Sequence, residues 1–270
     1  MQLPRAQNNL SMTALTVLGC GTSTGVPLIQ CWCEVCVSKN PRNKRLRASV
    51  WLQVNGKSFL IDTSTDLRQQ ALRAGIPRVD AVLYTHPHAD HIHGIDELRS
   101  FNYIQKSDIP VYGNNWTCTD LRTKFPYIFS PPAVVEGGGI PRLILNEFDA
   151  QKDSITILGE KFIPIPLVHG SKECVGYRLG NLAYVTDCND IPTASLNRMK
   201  DLEILVLDCV RLIPHPTHFN LDQALETAQA LKAKKTYLTH LGHEFEYAKW
   251  KKKLPRGVYL AYDGLSLSAT

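Results

Sequence analysis

The sequence predicts a layered α/β fold, and three observations carry that expectation. Short apolar runs alternate with segments of helical spacing along all 270 residues, the pattern of strands and helices packed around one core. No composition break is long enough to act as a linker, so residues 13–270 read as one domain behind a loose polar extension over 1–12. A His or Asp repeatedly stands directly after an apolar run, and in α/β sheets ligands gather beyond the carboxyl ends of strands.

From the N-terminus, residues 15–18 form a first strand that runs into a Gly-rich turn. The stretch 21–25 of that turn either offers backbone N–H groups to a phosphate or simply closes a tight bend. Residues 49–54 and 57–61 form a hairpin around Asn55-Gly56, a favoured two-residue turn. Residues 62–74 have helical spacing, with Leu67, Ala71, Leu72 and Ala74 on one face, and Gly75 and Pro77 end the helix. An apolar strand over 79–84 is followed by a helix over 95–104, a short strand over 110–112 and a helix over 117–125. Phe101 reads as part of a core helix face. The stretch 130–141, with Pro131-Pro132 and Gly137-Gly138-Gly139, reads as a mobile loop and an active-site flap. Further strands are expected over 154–157, 161–168, 175–179, 182–185, 204–207 and 236–238. A helix from Asn220 or Leu221 to about Lys232 carries Asp222 in its first turn and lysines at its end, as the helix dipole favours. The final run, 257–267, is broken by Asp263-Gly264.

The hydrophobic content of 44% supports a sizeable core, and the net charge of +5 suits anionic substrates without requiring nucleic acid. No stretch approaches the roughly 18 apolar residues of a membrane span, and the polar start lacks the apolar core of a signal peptide. The eight Cys do not form a secreted disulfide framework. Cys20, Cys118, Cys174, Cys188 and Cys209 read as reduced, small, buried residues, and a cytoplasmic location is expected.

The most informative stretch is His86-Pro87-His88-Ala89-Asp90-His91. Imidazole suits borderline metals, and Asp adds a hard oxygen. His86 and His88, spaced i, i+2, share a face in an extended segment and can reach one ion. Asp90 and His91 sit where a tightening loop aims them at a second. Leaving four such groups unpaired at the end of a buried strand is costly, which argues against a solvated His-rich loop. His93 points outward at its spacing. His169, Asp187, Asp208 and His240 each follow an apolar run; Asp208 either joins the site or braces a loop. Cys31, Cys33 and Cys36 supply three thiolates within six residues, which with one imidazole complete a tetrahedral structural zinc site.

With the later His169, Asp187 and His240, the motif His86-x-His88-x-Asp90-His91 resembles the metallo-β-lactamase superfamily. The order of its five ligand motifs is matched from Asp62 onward, and the resemblance runs from about Leu15 to the C-terminus. It implies an αβ/βα four-layer sandwich with a dinuclear metal site at one edge. His86, His88 and His169 would bind one ion, Asp90, His91 and His240 the other, and Asp187 would bridge them. Asp62 would orient a ligand by hydrogen bonding. A bridging carboxylate lets two ions sit about 3.5–4 Å apart and share a hydroxide.

Other motifs choose a branch. β-Lactamases of the commonest zinc subclass place a Cys at the Asp187 position, whereas here Cys188 is only its neighbour. Glyoxalase II-like thioesterases carry a Gly-His-Thr-Pro-Gly-His type motif where this chain has Leu167-Val168-His169-Gly170-Ser171-Lys172. His218, just before a helix, resembles the extra His that phosphodiesterases of this fold place near the leaving group. Cys31, Cys33 and Cys36 together with His243 resemble the PhnP-like phosphodiesterases, whose Cys₃His zinc lies outside the active site. His240 and His243 are three residues apart, so one turn can send one to each site.

The implied activity is hydrolysis of a small phosphodiester, cyclic ribose or nucleotide, with a hydroxide between two Zn or Mn ions as nucleophile. Asp90 and His218 are the catalytic residues of this reading, His218 as general acid, a role worth about 10²–10⁴-fold. A tRNA 3′-processing nuclease shares the metal site, but its Gly/Pro- and Lys-rich arm is missing between His91 and His169. The basic runs 39–47 and 249–253 read as solvated faces, so nucleic acid is the less favoured partner. A homodimer is compatible with the chain, and no membrane is expected. A non-enzymatic binding module would show a degraded ligand set, and here every position is filled.

Overall fold

A computed structural model describes residues 13–131 and 139–269. The expected extension over 1–12 and the middle of the expected flap, 132–138, lie outside the described residues.

The first half supplies β1 (Thr13–Gly19), β2 (Ser49–Val54), β3 (Lys57–Ile61), β4 (Ala81–Leu83), β5 (Ile109–Gly113) and β6 (Leu143–Glu147). Between them run α1 (Glu34–Val37), α2 (Leu67–Ala74), α3 (Ala89–Ile92), α4 (Leu98–Gln105), α5 (Asn115–Lys124) and α6 (Pro126–Phe129). The second half supplies β7 (Ile155–Ile157), β8 (Glu160–His169), β9 (Lys172–Leu179) and β10 (Leu182–Val185). It continues through α7 (Thr193–Arg198), β11 (Ile204–Asp208), α8 (Leu221–Leu231), β12 (Lys235–Thr239), α9 (Tyr247–Lys253), β13 (Val258–Leu260) and β14 (Ser266–Ala269). Two seven-stranded sheets result, ordered β14-β1-β2-β3-β4-β5-β6 and β13-β12-β11-β10-β9-β8-β7.

Strand periodicity assigns the layers. Alternate residues point to opposite faces of a sheet. Val50, Leu52, Phe59, Ile61, Ala81 and Leu83 join the core shared with the second sheet. Trp51, Leu60 and Val82 turn the other way and pack with Leu67, Leu98, Phe101 and Leu121 of α2, α4 and α5. Phe59 and Phe162 meet edge to face across the inter-sheet core, with ring centres 5.2 Å apart. The result is the αβ/βα sandwich. Asn55 and Gly56 both take positive φ, 49° and 74°, as the two-residue hairpin turn requires. No helix among the described residues is long and apolar enough to cross a membrane.

The structure corrects several local expectations. The helix expected over 62–74 begins only at Leu67, because Asp62 has φ 65° and cannot start a helical turn. Leu72 leaves the apolar face and is 68% exposed. The strand expected over 79–84 is regular only over Ala81–Leu83, with Asp80 and Tyr84 each donating one further bond to a neighbouring strand. α5 starts at Asn115, because the Asn114 side chain accepts the Thr117 N–H at 3.0 Å and caps the helix. β6, α7 and α9 were not expected; β6 is a half-exposed edge strand without clean alternation. The run 257–267 divides between the sheets, β13 pairing with β12 and β14 with β1. The Gly-rich turn closes a bend: Gly21, Thr22 and Gly25 donate to the carbonyls of Leu46, Leu241 and Thr22. Within the basic run 39–47, Arg45 is not solvated but 1% exposed.

Candidate functional site

The expected site residues converge on one edge of the sandwich, each delivered by the end of a strand. Asp62 follows β3, His86 to His91 follow β4, His169 ends β8, Asp187 follows β10, Asp208 ends β11 and His240 follows β12. His88 caps the short helix α3, which carries Asp90 and His91; a helical turn stands where a loop was expected. Asp62, Asp187 and His240 take left-handed φ of 65°, 58° and 58°, a conformation uncommon outside glycine that clusters at functional sites. Each bends the chain sharply at its strand end. His93 is exposed, as its spacing suggested.

Two adjacent groups carry the expected metal ligands. His86, His88 and His169 converge in one, and Asp90, His91, Asp187 and His240 in the other. His86 Nε2 lies 2.9 Å from His88 Nδ1, and His169 Nε2 lies 3.3 Å from the same atom. Asp187 stands between the groups. One carboxylate oxygen is 3.8 Å from His86 and 3.3 Å from His240, and the other is 3.3 Å from His91. Asp90 lies 3.2 Å from His91 and 3.6 Å from His240. All but His88 are buried, so His88 is the solvent-facing member.

Divalent metals fit this arrangement. Ligand atoms about 3.3 Å apart are what tetrahedral coordination at about 2.0–2.1 Å requires. His91 Nε2 and both ring nitrogens of His240 are buried with no hydrogen-bond partner, a costly state for polar atoms. The outward nitrogens are anchored: His169 Nδ1 donates to the Thr217 carbonyl at 2.8 Å, and His91 Nδ1 to Asp62 at 2.8 Å. Those bonds leave the opposite nitrogens as acceptors facing inward, the usual support for metal-binding imidazoles. Asp62 also accepts the Thr85 N–H and hydroxyl at 2.8 Å each. Burial raises its carboxyl above the ordinary range, against the pull of His91 and Thr85.

His218 joins from the loop before α8. Its ring stacks on His240 at 4.7 Å, and its Nδ1 lies 3.4 Å from Asp208 and 3.8 Å from Asp187. Burial works against its charged form, but the Asp208 and Asp187 carboxylates outweigh it and push it up to about 9. Asp208, which the sequence left between two roles, braces the site. It accepts the N–H groups of Asp187 and Phe219 at 3.0 Å each and faces His218. Trp116, which sequence reasoning missed, stands 5.8 Å from the His88 ring.

Cys31, Cys33, Cys36 and His243 form a separate cluster. Their sulfurs lie 3.2, 3.5 and 3.6 Å from His243 Nδ1, close to the roughly 3.6 Å expected between S and N ligands of one tetrahedral zinc. Burial would raise the Cys33 thiol, but neighbouring backbone N–H groups and thiols bring it down to about 7. The remaining five Cys are buried and free.

A family model described as a β-lactamase superfamily domain matches residues 57–241. A solved structure described as a new diphosphatase from the PhnP family is 44% identical, covers 96% of this chain and 97% of its own, and superposes with a TM-score of 0.88. An octanoyltransferase of Porphyromonas gingivalis is 34% identical over 92% of this chain, and a ribonuclease Z of Clostridioides difficile is 25% identical over 75% of it. This chain spans 50% of the first relative's length and 63% of the second's. Human tRNase Z, short form, shares the fold at 18% identity and a TM-score of 0.63. The chain belongs to the metallo-β-lactamase superfamily, and within it to the PhnP family.

Proposed function

We propose that this protein hydrolyses a P–O bond of a small disubstituted phosphate, with His218 as the acid for the leaving oxygen. The observation that carries this reading is the position of His218, stacked on His240 and pushed up to about 9 by Asp208 and Asp187. An imidazole whose charged form Asp208 favours thus stands beside the His/Asp cluster.

Two divalent ions, Zn or Mn, would be held by His86, His88 and His169 and by Asp90, His91 and His240, with Asp187 shared. Bound there, they supply Lewis-acid polarisation of phosphoryl oxygens and a water acidic enough, near pH 7 in favourable cases, to yield a nucleophile. Asp62 and the Thr217 carbonyl hold the His91 and His169 rings in their inward-facing tautomers. Asp208 positions the Asp187 backbone and the His218 ring together. His218 passes its proton to the departing oxygen and recovers one from solvent. Cys31, Cys33, Cys36 and His243 would hold a structural zinc.

The description of the PhnP-family relative as a diphosphatase supports a P–O–P linkage alongside the phosphodiester. The two differ in leaving group: a phosphate departs with little protonation, whereas an alkoxide needs the acid. The similarity to ribonuclease Z favours a second reading, tRNA 3′ processing; tRNA binding that falls steeply with added salt would support it.

The test is a panel of cyclic and linear phosphodiesters and diphosphate diesters with Zn- or Mn-reconstituted protein. The expected result is turnover of at least one class, lost in Asp187→Asn. No turnover of any of them with the metal sites filled contradicts the proposal.

A further inference from the structure

Asp187 has to face both groups of the cluster at once, and its neighbours Thr186, Cys174 and Asp208 are all buried. β9 and β10 run antiparallel, with Leu182 opposite Leu179 and Tyr184 opposite Tyr177. Carried three residues further, that register would set Cys174 opposite Asp187. The ladder ends at Tyr184 instead, and the chain turns away at Asp187 with φ 58°. Beyond the ladder, side chains take over the Asp187 peptide groups. Its N–H donates to Asp208 at 3.0 Å, and its carbonyl accepts the Cys174 thiol at 2.8 Å. The Thr186 hydroxyl donates to the Asp187 carboxylate at 2.7 Å. It binds Oδ2, the oxygen 3.3 Å from His91, and leaves Oδ1 at 3.3 Å from His240 and 3.8 Å from His86.

Resting on the shared-ion part of the reading above, we propose that Thr186 and Cys174 are positioning residues for the Asp187 carboxylate. Thr186 decides which oxygen meets which half of the cluster, and Cys174 holds the turned peptide behind it. The last torsion of an Asp side chain is broad, so a donor on one oxygen selects the orientation. A left-handed φ is tolerated by Asp but not required of it, so the turn needs its carbonyl tied down. Both residues are 0% exposed, and water does not compete for either bond. Cys174 belongs to none of the candidate ligand groups, so it acts through Asp187 and not on an ion. Cys118 offers an internal contrast. It is an equally buried thiol that donates to a backbone carbonyl, that of Gly113 at 3.4 Å, which belongs to no candidate ligand.

The test is manganese titration of the chelator-stripped protein, followed by EPR, which reads the magnetic coupling between ions that share ligands. Thr186→Val and Cys174→Ala should each weaken manganese binding at the His/Asp site by about 10–100-fold, the usual range for a residue that orients a ligand, and weaken the coupling. Thr186→Ser and Cys174→Ser, which keep a donor, should recover most of both. Cys118→Ala should lower Tm but leave manganese affinity and coupling unchanged. Unchanged affinity in either Thr186→Val or Cys174→Ala, an equal loss in Cys118→Ala, or no recovery in the serine variants overturns the proposal. The two residues are read separately, so misfolding of one variant leaves the other decisive. The hydrolase reading fails on its own terms: coupled ions that depend on Thr186, in a protein that turns over no phosphate ester, keep the positioning and remove the activity.

Discussion

The His/Asp cluster and the Cys/His cluster are built by opposite means. The first draws its residues from the ends of β3, β4, β8, β10 and β12, in both sheets, and nearly all of them are buried. Hydrogen-bonded strands fix those ends relative to one another. The second takes three residues from one loop and short helix, and a fourth from a turn more than 200 residues away, beside a Trp32 that is 81% exposed. No strand reaches that loop. The difference separates the proposed roles: strand ends would hold the chemistry, and a metal on the Cys/His cluster would pin a segment that the sheets leave out.

The two clusters meet in one turn. His240 and His243 are separated by Leu241 and Gly242, whose N–H groups donate to the Cys20 carbonyl at 2.7 Å and the Val210 carbonyl at 2.9 Å. The buried Arg45 guanidinium donates to the Gly242 carbonyl at 3.0 Å and to the Phe245 carbonyl. A zinc on His243 would therefore steady the turn that carries His240.

Substitutions can break this comparison. The largest effect is expected from Asp187→Asn, which removes the shared carboxylate. Turnover should fall to background, and metal analysis should show only the zinc of the Cys site; retention of the full metal complement would contradict the shared role. His218→Ala should keep every metal but lose about 10²–10⁴-fold on an alkyl diester. The same variant should lose far less on a p-nitrophenyl ester or a diphosphate, whose leaving groups need little protonation, and equal losses on all would remove the acid role. Asp62→Asn should cost about 10–100-fold in metal affinity or activity, the usual range for a residue that only orients a ligand. The smallest effect on kcat is expected from Cys33→Ser. It should lose one zinc and lower Tm, yet leave kcat close to wild type when the His/Asp site is saturated with metal. A kcat collapse there would make the thiolate cluster catalytic.

The sequence made the His/Asp cluster legible because its ligands follow apolar runs, and hydrophobic periodicity locates strand ends well. It made the Cys cluster legible because three thiols in six residues are hard to explain otherwise. The left-handed turns at Asp62, Asp187 and His240 were not legible, since they follow from tertiary pairing and not from residue type. Asp62 was therefore read into a helix. Arg45 looked like part of a solvated basic run, and only the fold shows carbonyls waiting for its guanidinium. β6 carries too little alternation to signal an edge strand. Trp116 falls between the strand expected over 110–112 and the helix expected from 117, and nothing local ties it to residues thirty positions earlier.

Phosphorus NMR of a phosphodiester turned over by the metal-loaded protein in heavy-oxygen water tests the central claim most directly. The expected product is a phosphate monoester whose new oxygen, carried on phosphorus, comes from solvent. The absence of turnover with both clusters filled, or solvent oxygen appearing only in the released alcohol, would contradict it.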